Sequence, residues 1–159
     1  MRWTWAREVY EAIGKNVDEL AKQQKEHFAA CVRKLVQSCA VDFIGEEFDE
    51  GVPTSASLIL PKNWHMIDMP CAERHRRKIP DDYAGSDKYT EEQRTGWSSE
   101  RERYMFEEFG RHVGGAASAL VICGSEHIAG LTKLFVEGSH EITGSDDVTK
   151  AAWFDRPLE

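Results

Sequence analysis

The chain has 159 residues and a formal net charge of −8. This acidic balance argues against nucleic acid as the main partner, because binding a phosphate backbone requires a basic face. Residues 74–78 form a local basic run, so the exclusion concerns the surface as a whole and not this patch. With 41% apolar and 30% charged residues, the composition is typical of one globular domain.

The sequence predicts a cytoplasmic protein without disulfides. No apolar stretch approaches the roughly 20 residues that span a bilayer, and the first twelve residues lack the apolar core of a signal peptide. The four cysteines form no Cys-x-x-Cys pair, and three of them lie in apolar segments.

The first half of the chain predicts a helix followed by a short strand. The segment 2–10 is expected to form a helix or an extended arm. Apolar residues then recur at three- and four-residue steps over 18–39, which predicts an amphipathic helix beginning near an Asp18 N-cap. The β-rich run 41–44 follows and ends at Gly45. A helix leading into such a run is typical of a parallel-sheet unit.

A second strand is predicted at 64–69, where the run ends before Pro70. The segment 71–97 is polar and broken by proline and glycine, and it predicts an irregular excursion. A helix over 98–115 follows, capped by Ser98 or Ser99 and ended by two glycines.

The rest of the chain predicts a strand at 118–123, a turn and helix at 124–138, and a last strand at 140–143. Strands that alternate with helices indicate a single-domain α/β protein. The predicted architecture is a three-layer sandwich with a mostly parallel sheet of about four strands.

Polar side chains follow three of the predicted strands. Glu46 and Glu47 follow the first, Asp68 follows the second, and Glu126 and His127 follow the third. In an open parallel sheet, ligands bind beyond the carboxyl ends of the strands. Consecutive strand residues point to opposite faces, so we expect one glutamate to act in the site and the other to support it.

These residue types suit metal-assisted hydrolysis. Carboxylates and a neutral imidazole bind Zn²⁺ or Mn²⁺, and the ion makes water more acidic. The predicted metal ligands are Glu46, Glu47, Asp68 and His127. Glu46, Glu47 and His127 are also the predicted catalytic residues, since a glutamate with a raised pKa can serve as general base.

The same edge of the sheet offers groups for an anionic part of a substrate. The turn at Gly124 and Ser125 leaves backbone N–H groups at the start of a helix. Arg74 follows Asp68 by six residues and offers a guanidinium fork. These three residues are the predicted substrate-binding group.

Each of these residues also has an ordinary structural explanation. Glu46 and Glu47 suit a solvated turn, and Glu126 compensates a helix dipole. Asp68 is a common turn former, and a single histidine such as His127 is often structural. The functional interpretation therefore depends on whether the strand ends bring these side chains together.

The segments "FIGEEF" at 43–48 and "VICGSEH" at 121–127 resemble motifs of small bacterial α/β proteins. More distantly they are similar to the superfamily of TraB/TIKI-type, ChaN-like and erythromycin-esterase-like proteins. The resemblance implies a metal-dependent protease, an esterase or a haem-binding protein. It matches the 46–47 pair to the family glutamates, Gly124 and His127 to a Gly-x-x-His motif, and Arg74 to a supporting arginine. The earlier Gly-x-x-His motif of the family has no counterpart before residue 41, so the resemblance implies a site that is incomplete, inactive or completed by a partner chain.

The leading functional prediction is a metal-dependent hydrolase acting on a small-molecule or peptide substrate. One alternative is a non-catalytic module that binds a small anion or a nucleotide. Another is an interaction protein with a vestigial site. Aromatic residues near both termini, namely Trp3, Trp5, Trp153 and Phe154, suit either a homodimer interface or the sealing of a small core.

Overall fold

The computed structural model describes residues 17–48 and 54–145. The predictions for the arm at 2–10 and for the terminal aromatics lie outside these residues. Within them no helix is both long and apolar enough to cross a membrane. The helices and strands are α1 (Val17–Ser38), β1 (Phe43–Glu46), α2 (Ser55–Ile59), β2 (Trp64–Met66), α3 (Cys71–Arg76), α4 (Glu91–His112), β3 (Ala119–Ile122) and α5 (Ile128–Glu137), with short 3-10 helices at Tyr83–Gly85 and Ser125–His127.

The strands form a small parallel sheet in the order β2-β1-β3, which confirms the α/β class. Glu46 of β1 lies opposite Met66 on one side and Ile122 on the other. All three strands therefore end at the same edge. The residues that follow them in sequence, Glu47 among them, emerge close together.

Residues 140–143, predicted as a last strand, form no strand in the structure. The chain turns back at the end of α5 instead, and the His140 N–H donates to the Phe135 carbonyl at 2.9 Å. The His140 ring then lies edge-on to Phe135, with centroids 5.5 Å apart. The prediction was wrong because Ile142, the single apolar residue of this segment, stays exposed at the surface.

Consecutive residues of β1 point to opposite faces of the sheet and enter two separate cores. Phe43 packs with residues of α4 and α5 such as Met105 and Phe135. Ile44 belongs to a second core with Val32 of α1 and Ala56 of α2. Each core buries a helix stripe against the sheet, as the period-two pattern of a strand requires.

The segment 71–97 is more regular than predicted. It contains α3, the 3-10 helix and the first turns of α4, and Ile79 and Tyr83 are buried there beside Met69. Helix α4 begins at Glu91 because Thr90 and Gln93 form a capping box, so Ser98 and Ser99 lie inside the helix.

Candidate functional site at the carboxyl ends of the strands

Side chains from all three strand ends meet with one from α3 and two from α4. We call this group the strand-end cluster. Its members are Glu47, Asp68, Arg74, Arg101, Glu102 and His127. The sequence predicted Glu47, Asp68, Arg74 and His127 for this edge, and the structure brings these four together.

Arg101 lies between the first two strand ends. Its Nη2 donates to Glu47 Oε1 at 2.8 Å and to both Asp68 oxygens at 2.9 Å, and its Nη1 donates to the Tyr83 hydroxyl at 3.3 Å. Burial alone lowers the pKa of this guanidinium, but the charge of Asp68 and the contact with Tyr83 outweigh burial, so the net pKa is raised. Arg101 is therefore a permanent positive charge between two carboxylates.

Arg74 supports Asp68 from the other side. Its Nη1 donates to the Met69 carbonyl at 2.9 Å and to Asp68 Oδ2 at 3.4 Å. The Asp68 carboxylate also accepts the Met69 N–H at 2.7 Å. Both oxygens of Asp68 are thus engaged by the protein, so Asp68 acts as a partner of the arginines in this structure.

His127 is fully buried and is held by one ring nitrogen. Its Nδ1 lies 3.1 Å from Glu102 Oε1. Because an ionised carboxylate can only accept, we assign the Nδ1 proton to this hydrogen bond. Nε2 has no hydrogen-bond partner, and it lies 3.6 Å from Glu47 Oε1.

The formal charges around His127 Nε2 do not balance. The neutral imidazole with a proton on Nδ1 would direct its Nε2 lone pair toward the Glu47 carboxylate, which is unfavourable. In the strand-end cluster three carboxylates face two guanidinium groups, so one carboxylate is in excess. A cation bound between His127 Nε2 and Glu47 Oε1 would compensate that charge.

Glu102 reaches His127 because α5 has a glycine at position 130. A Cβ on Gly130 would overlap the Glu102 carboxylate. Glu102 itself is buried, on the same helix stripe as Met105 and Phe109. The close approach of α4 to α5 at this glycine therefore positions the carboxylate that orients His127.

Glu46 lies apart from the strand-end cluster. Its Oε2 accepts hydrogen bonds from Thr54 Oγ1 and Trp64 Nε1, both at 2.6 Å, and Thr54 in turn caps α2. The strand alternation continues through the strand end, so Glu46 and Glu47 point to opposite faces. The structure gives no support to Glu46 as a ligand beside His127, because the Glu46 carboxylate lies on the other face of the sheet.

We expect Glu46→Gln to stabilise the protein at pH 7. Burial raises the pKa of Glu46, and the hydrogen bonds from Thr54 and Trp64 offset this only in part. The folded state therefore binds more protons than the unfolded state from about pH 4.5 up to the folded pKa, and the free energy of unfolding falls as pH rises through that window. Glutamine keeps an acceptor oxygen but does not titrate. The variant therefore lacks this loss of unfolding free energy between about pH 4.5 and pH 7.

Urea denaturation of parent and variant at pH 4 and pH 7 measures the effect. The exposed Glu141 supplies the control, since Glu141→Gln should leave the pH dependence unchanged. A Glu46→Gln protein that is less stable than the parent at pH 7 would contradict the expectation.

The predicted anion-binding turn is already occupied by the protein. The Gly124 N–H donates to Glu47 Oε2 at 2.7 Å, so the backbone group offered for a substrate holds a carboxylate. Ser125 is exposed at the start of the 3-10 helix. With Arg74 engaged as well, the three predicted substrate-binding residues form no shared open cradle in this structure.

Cys123 lies beside the cluster but is unsuited to nucleophilic chemistry. Burial, followed by the charges of Glu47, Glu126 and Glu102, raises the pKa of the Cys123 thiol to about 12. The thiol therefore stays protonated at neutral pH.

A cavity of about 340 Å³ lies at the opposite, amino-terminal edge of the strands. Asp42, His65 and His112 line it, and the two imidazole rings stack with centroids 4.3 Å apart. The Asp42 carboxylate is used by the Ala117 and Ser118 N–H groups, at 3.0 and 3.1 Å. This edge offers fewer convergent functional groups than the strand-end cluster.

One more group of side chains could hold a metal ion within the part of the chain that the structure describes. It consists of Cys71, His75 and Asp81, whose donor atoms all lie within 4.8 Å of one another. None of its members was predicted as a ligand from the sequence. The signal was present as Cys-x-x-x-His, a spacing that places both side chains on one face of a helix.

Comparisons of the chain with protein-family models, with curated proteins and with solved structures find no match. The resemblance to the TraB/TIKI, ChaN-like and erythromycin-esterase-like superfamily therefore stays a prediction. We therefore infer function from the side chains themselves.

Proposed function

We propose that the chain is a metal-dependent hydrolase with its site at the carboxyl ends of β1, β2 and β3. One observation carries the proposal. His127 Nε2 is buried without a hydrogen-bond partner, while Nδ1 is held by Glu102 and Glu47 Oε1 lies 3.6 Å away.

His127 Nε2 and Glu47 Oε1 fit one divalent ion. Two donors at about 2.0–2.2 Å from a tetrahedral ion are roughly 3.4 Å apart, close to the observed separation. A metal-ligating histidine commonly donates its other N–H to a carboxylate, which is the role of Glu102 here. Nitrogen and oxygen donors suit Zn²⁺ or Mn²⁺. Glu47, rather than Asp68 or Glu46, is the proposed carboxylate ligand because its Oε1 is the oxygen that lies beside His127 Nε2.

Each side chain then has a defined role. A bound ion supplies Lewis-acid activation of the scissile group. Glu102 fixes the tautomer and orientation of His127, and the Gly124 N–H fixes Glu47 through its second oxygen. Arg101 contacts the same Glu47 oxygen that faces His127, so it helps to hold that oxygen in position.

The proposal includes further features that the sequence predicted. The two separate cores support helices on both faces of the sheet, as in a three-layer sandwich. Four free cysteines support a reducing compartment such as the cytoplasm. The substrate is proposed to be a small molecule or a peptide. A homodimer remains part of the proposal through the aromatic termini, which lie outside the described residues.

Calorimetric titration with Mn²⁺ and Zn²⁺ tests the proposal. The parent for this experiment carries Cys71→Ser and His75→Ala, so that other donors do not contribute. Glu47→Gln and His127→Asn are each expected to weaken binding by more than about tenfold, the smallest loss seen when even an outer partner of a ligand is removed. Glu46→Gln is the matched control, because it changes the neighbouring glutamate on the other face. Hydrolysis of chromogenic esters and phosphodiesters should require the ion.

The competing structure is a network of hydrogen bonds and ion pairs that holds no metal ion. It predicts no binding by the Cys71→Ser, His75→Ala parent. It also predicts that Glu47→Gln alters stability without altering any metal affinity. Either result would contradict the metal-dependent hydrolase.

A further inference from the structure

Helix α3 presents a second group of metal donors, separate from the ligands proposed above. Cys71 Sγ lies 3.7 Å from His75 Nε2, and that same nitrogen lies 3.1 Å from Asp81 Oδ2. One imidazole nitrogen thus faces both a thiol and a carboxylate. This is the arrangement that a shared ion requires.

We propose that Cys71, His75 and Asp81 bind Zn²⁺ in a three-ligand site with its fourth position open. With bonds of about 2.3 Å to sulfur and about 2.0–2.2 Å to nitrogen and oxygen, tetrahedral angles give donor separations near 3.6 Å and 3.4 Å. The observed 3.7 Å and 3.1 Å need only small side-chain adjustments. The thiolate selects Zn²⁺ over harder ions such as Mg²⁺ and Ca²⁺.

The backbone explains why Asp81 returns to the helix. After α3 the Ile79 N–H donates to the Arg74 carbonyl at 2.9 Å, and the Ile79 side chain is buried at 1% exposure. Lys78 takes the left-handed conformation, with φ of 59°, that reverses the chain there. These contacts place position 81 beside the His75 ring.

Asp81 has an oxygen for each of its partners. Oδ2 faces His75, while Oδ1 accepts from Arg74 Nε at 3.4 Å. Arg74 therefore orients the Asp81 carboxylate from outside the ligand set, as hydrogen-bond donors commonly do for ligating carboxylates.

Solvent access leaves the fourth position open. The side chains of His75 and Asp81 are 62% and 55% exposed. Three protein ligands with an open position are typical of zinc that takes water or an exogenous ligand. Arg74 also contacts Asp68 at 3.4 Å, so an ion at this site lies one side chain away from the strand-end cluster.

Cobalt substitution tests this site specifically. Co²⁺ bound by a thiolate gives a near-ultraviolet charge-transfer band, which a site made of Glu47 and His127 cannot produce. We expect the band in the full chain and its loss in Cys71→Ser. The Zn²⁺ affinities of His75→Ala and Asp81→Asn should fall by more than the roughly 10- to 100-fold that loss of an outer partner costs. Zn²⁺ should also raise the melting temperature of the parent but not that of Cys71→Ser in a Glu47→Gln background.

The pair His27 and Cys31 on α1 supplies the matched control. Cys31 Sγ lies 3.5 Å from His27 Nε2 at the same four-residue spacing, and among the described residues no third donor completes that pair. His27→Ala and Cys31→Ser should keep the cobalt band. A parent without the band, or a band lost in the α1 variants and kept in Cys71→Ser, would overturn the proposal. Loss of Mn²⁺ binding in Glu47→Gln alone would leave this site intact.

Discussion

Arg101→Met is expected to lower the free energy of unfolding by about 3 kcal/mol, the lower end of the cost of breaking a buried ion pair. The variant leaves Asp68 and Glu47 without the guanidinium that contacts both of them. Arg74 still contacts Asp68, which keeps the loss at the lower end. Methionine preserves most of the aliphatic volume, so the change reports chiefly on charge. Chemical denaturation at pH 7 measures it.

Two controls separate the charge network from helix effects. Arg103 is an exposed arginine two positions along α4, and Arg103→Met should change stability by less than about 0.5 kcal/mol. Arg101→Lys keeps the charge but loses the fork that contacts two carboxylates, so an intermediate loss is expected. Equal losses in Arg101→Met and Arg103→Met would refute the network.

Asp68→Asn extends the same experiment to a double-mutant cycle. In the parent this change removes the charge that Arg101 and Arg74 share. In the Arg101→Met background, Asp68→Asn removes a buried carboxylate that has already lost one partner. Asp68→Asn should therefore lower the free energy of unfolding less there than in the parent. A coupling energy of about 0.5–3 kcal/mol is expected for residues in one network.

The sequence predicted the parallel sheet and its edge because local signals there agree with the tertiary structure. Strand runs at 41–44, 64–69 and 118–123 lie close to β1, β2 and β3. Each is short, apolar and followed by polar residues, so its end could be located. The parallel connection then places the three ends together without any knowledge of the helix packing.

The sequence did not reveal which glutamate faces the cluster, since that depends on what covers each face of the sheet. Phe43 and Ile44 are both apolar, so the pattern in β1 marks no solvent face. Only the packing of α4 against the Phe43 face assigns Glu47 to Arg101 and leaves Glu46 to Thr54.

Arg101 and Glu102 were missed because a charged run on a helix is usually solvated. The segment "SSERER" at 98–103 was predicted only as the capped start of a helix. Glu102, however, lies three and seven residues before Met105 and Phe109, which places a carboxylate on the apolar stripe of α4. A charge on such a stripe needs a buried partner, and that mismatch was the available signal.

Gly130→Ala is expected to lower the free energy of unfolding by about 1–2 kcal/mol, although alanine favours helix. The new Cβ would overlap the Glu102 carboxylate, which must swing away from His127. Losing this charge-assisted hydrogen bond costs about 1.5–3 kcal/mol and exceeds the gain of about 0.5–1 kcal/mol from helix propensity. The imidazole ring then lacks its orienting partner.

Gly110→Ala is the matched control, since a Cβ at Gly110 of α4 meets nothing within 4 Å. It should stabilise the protein by up to about 1 kcal/mol. Thermal denaturation compares the two variants, and nitrogen NMR of the imidazole ring reports whether the His127 Nδ1 proton stays in its hydrogen bond. If Glu102 positions the metal ligand, Gly130→Ala also weakens Mn²⁺ binding by roughly 10- to 100-fold while Gly110→Ala leaves it unchanged. Equal NMR signals and equal affinities in the two variants would mean that Glu102 does not position His127.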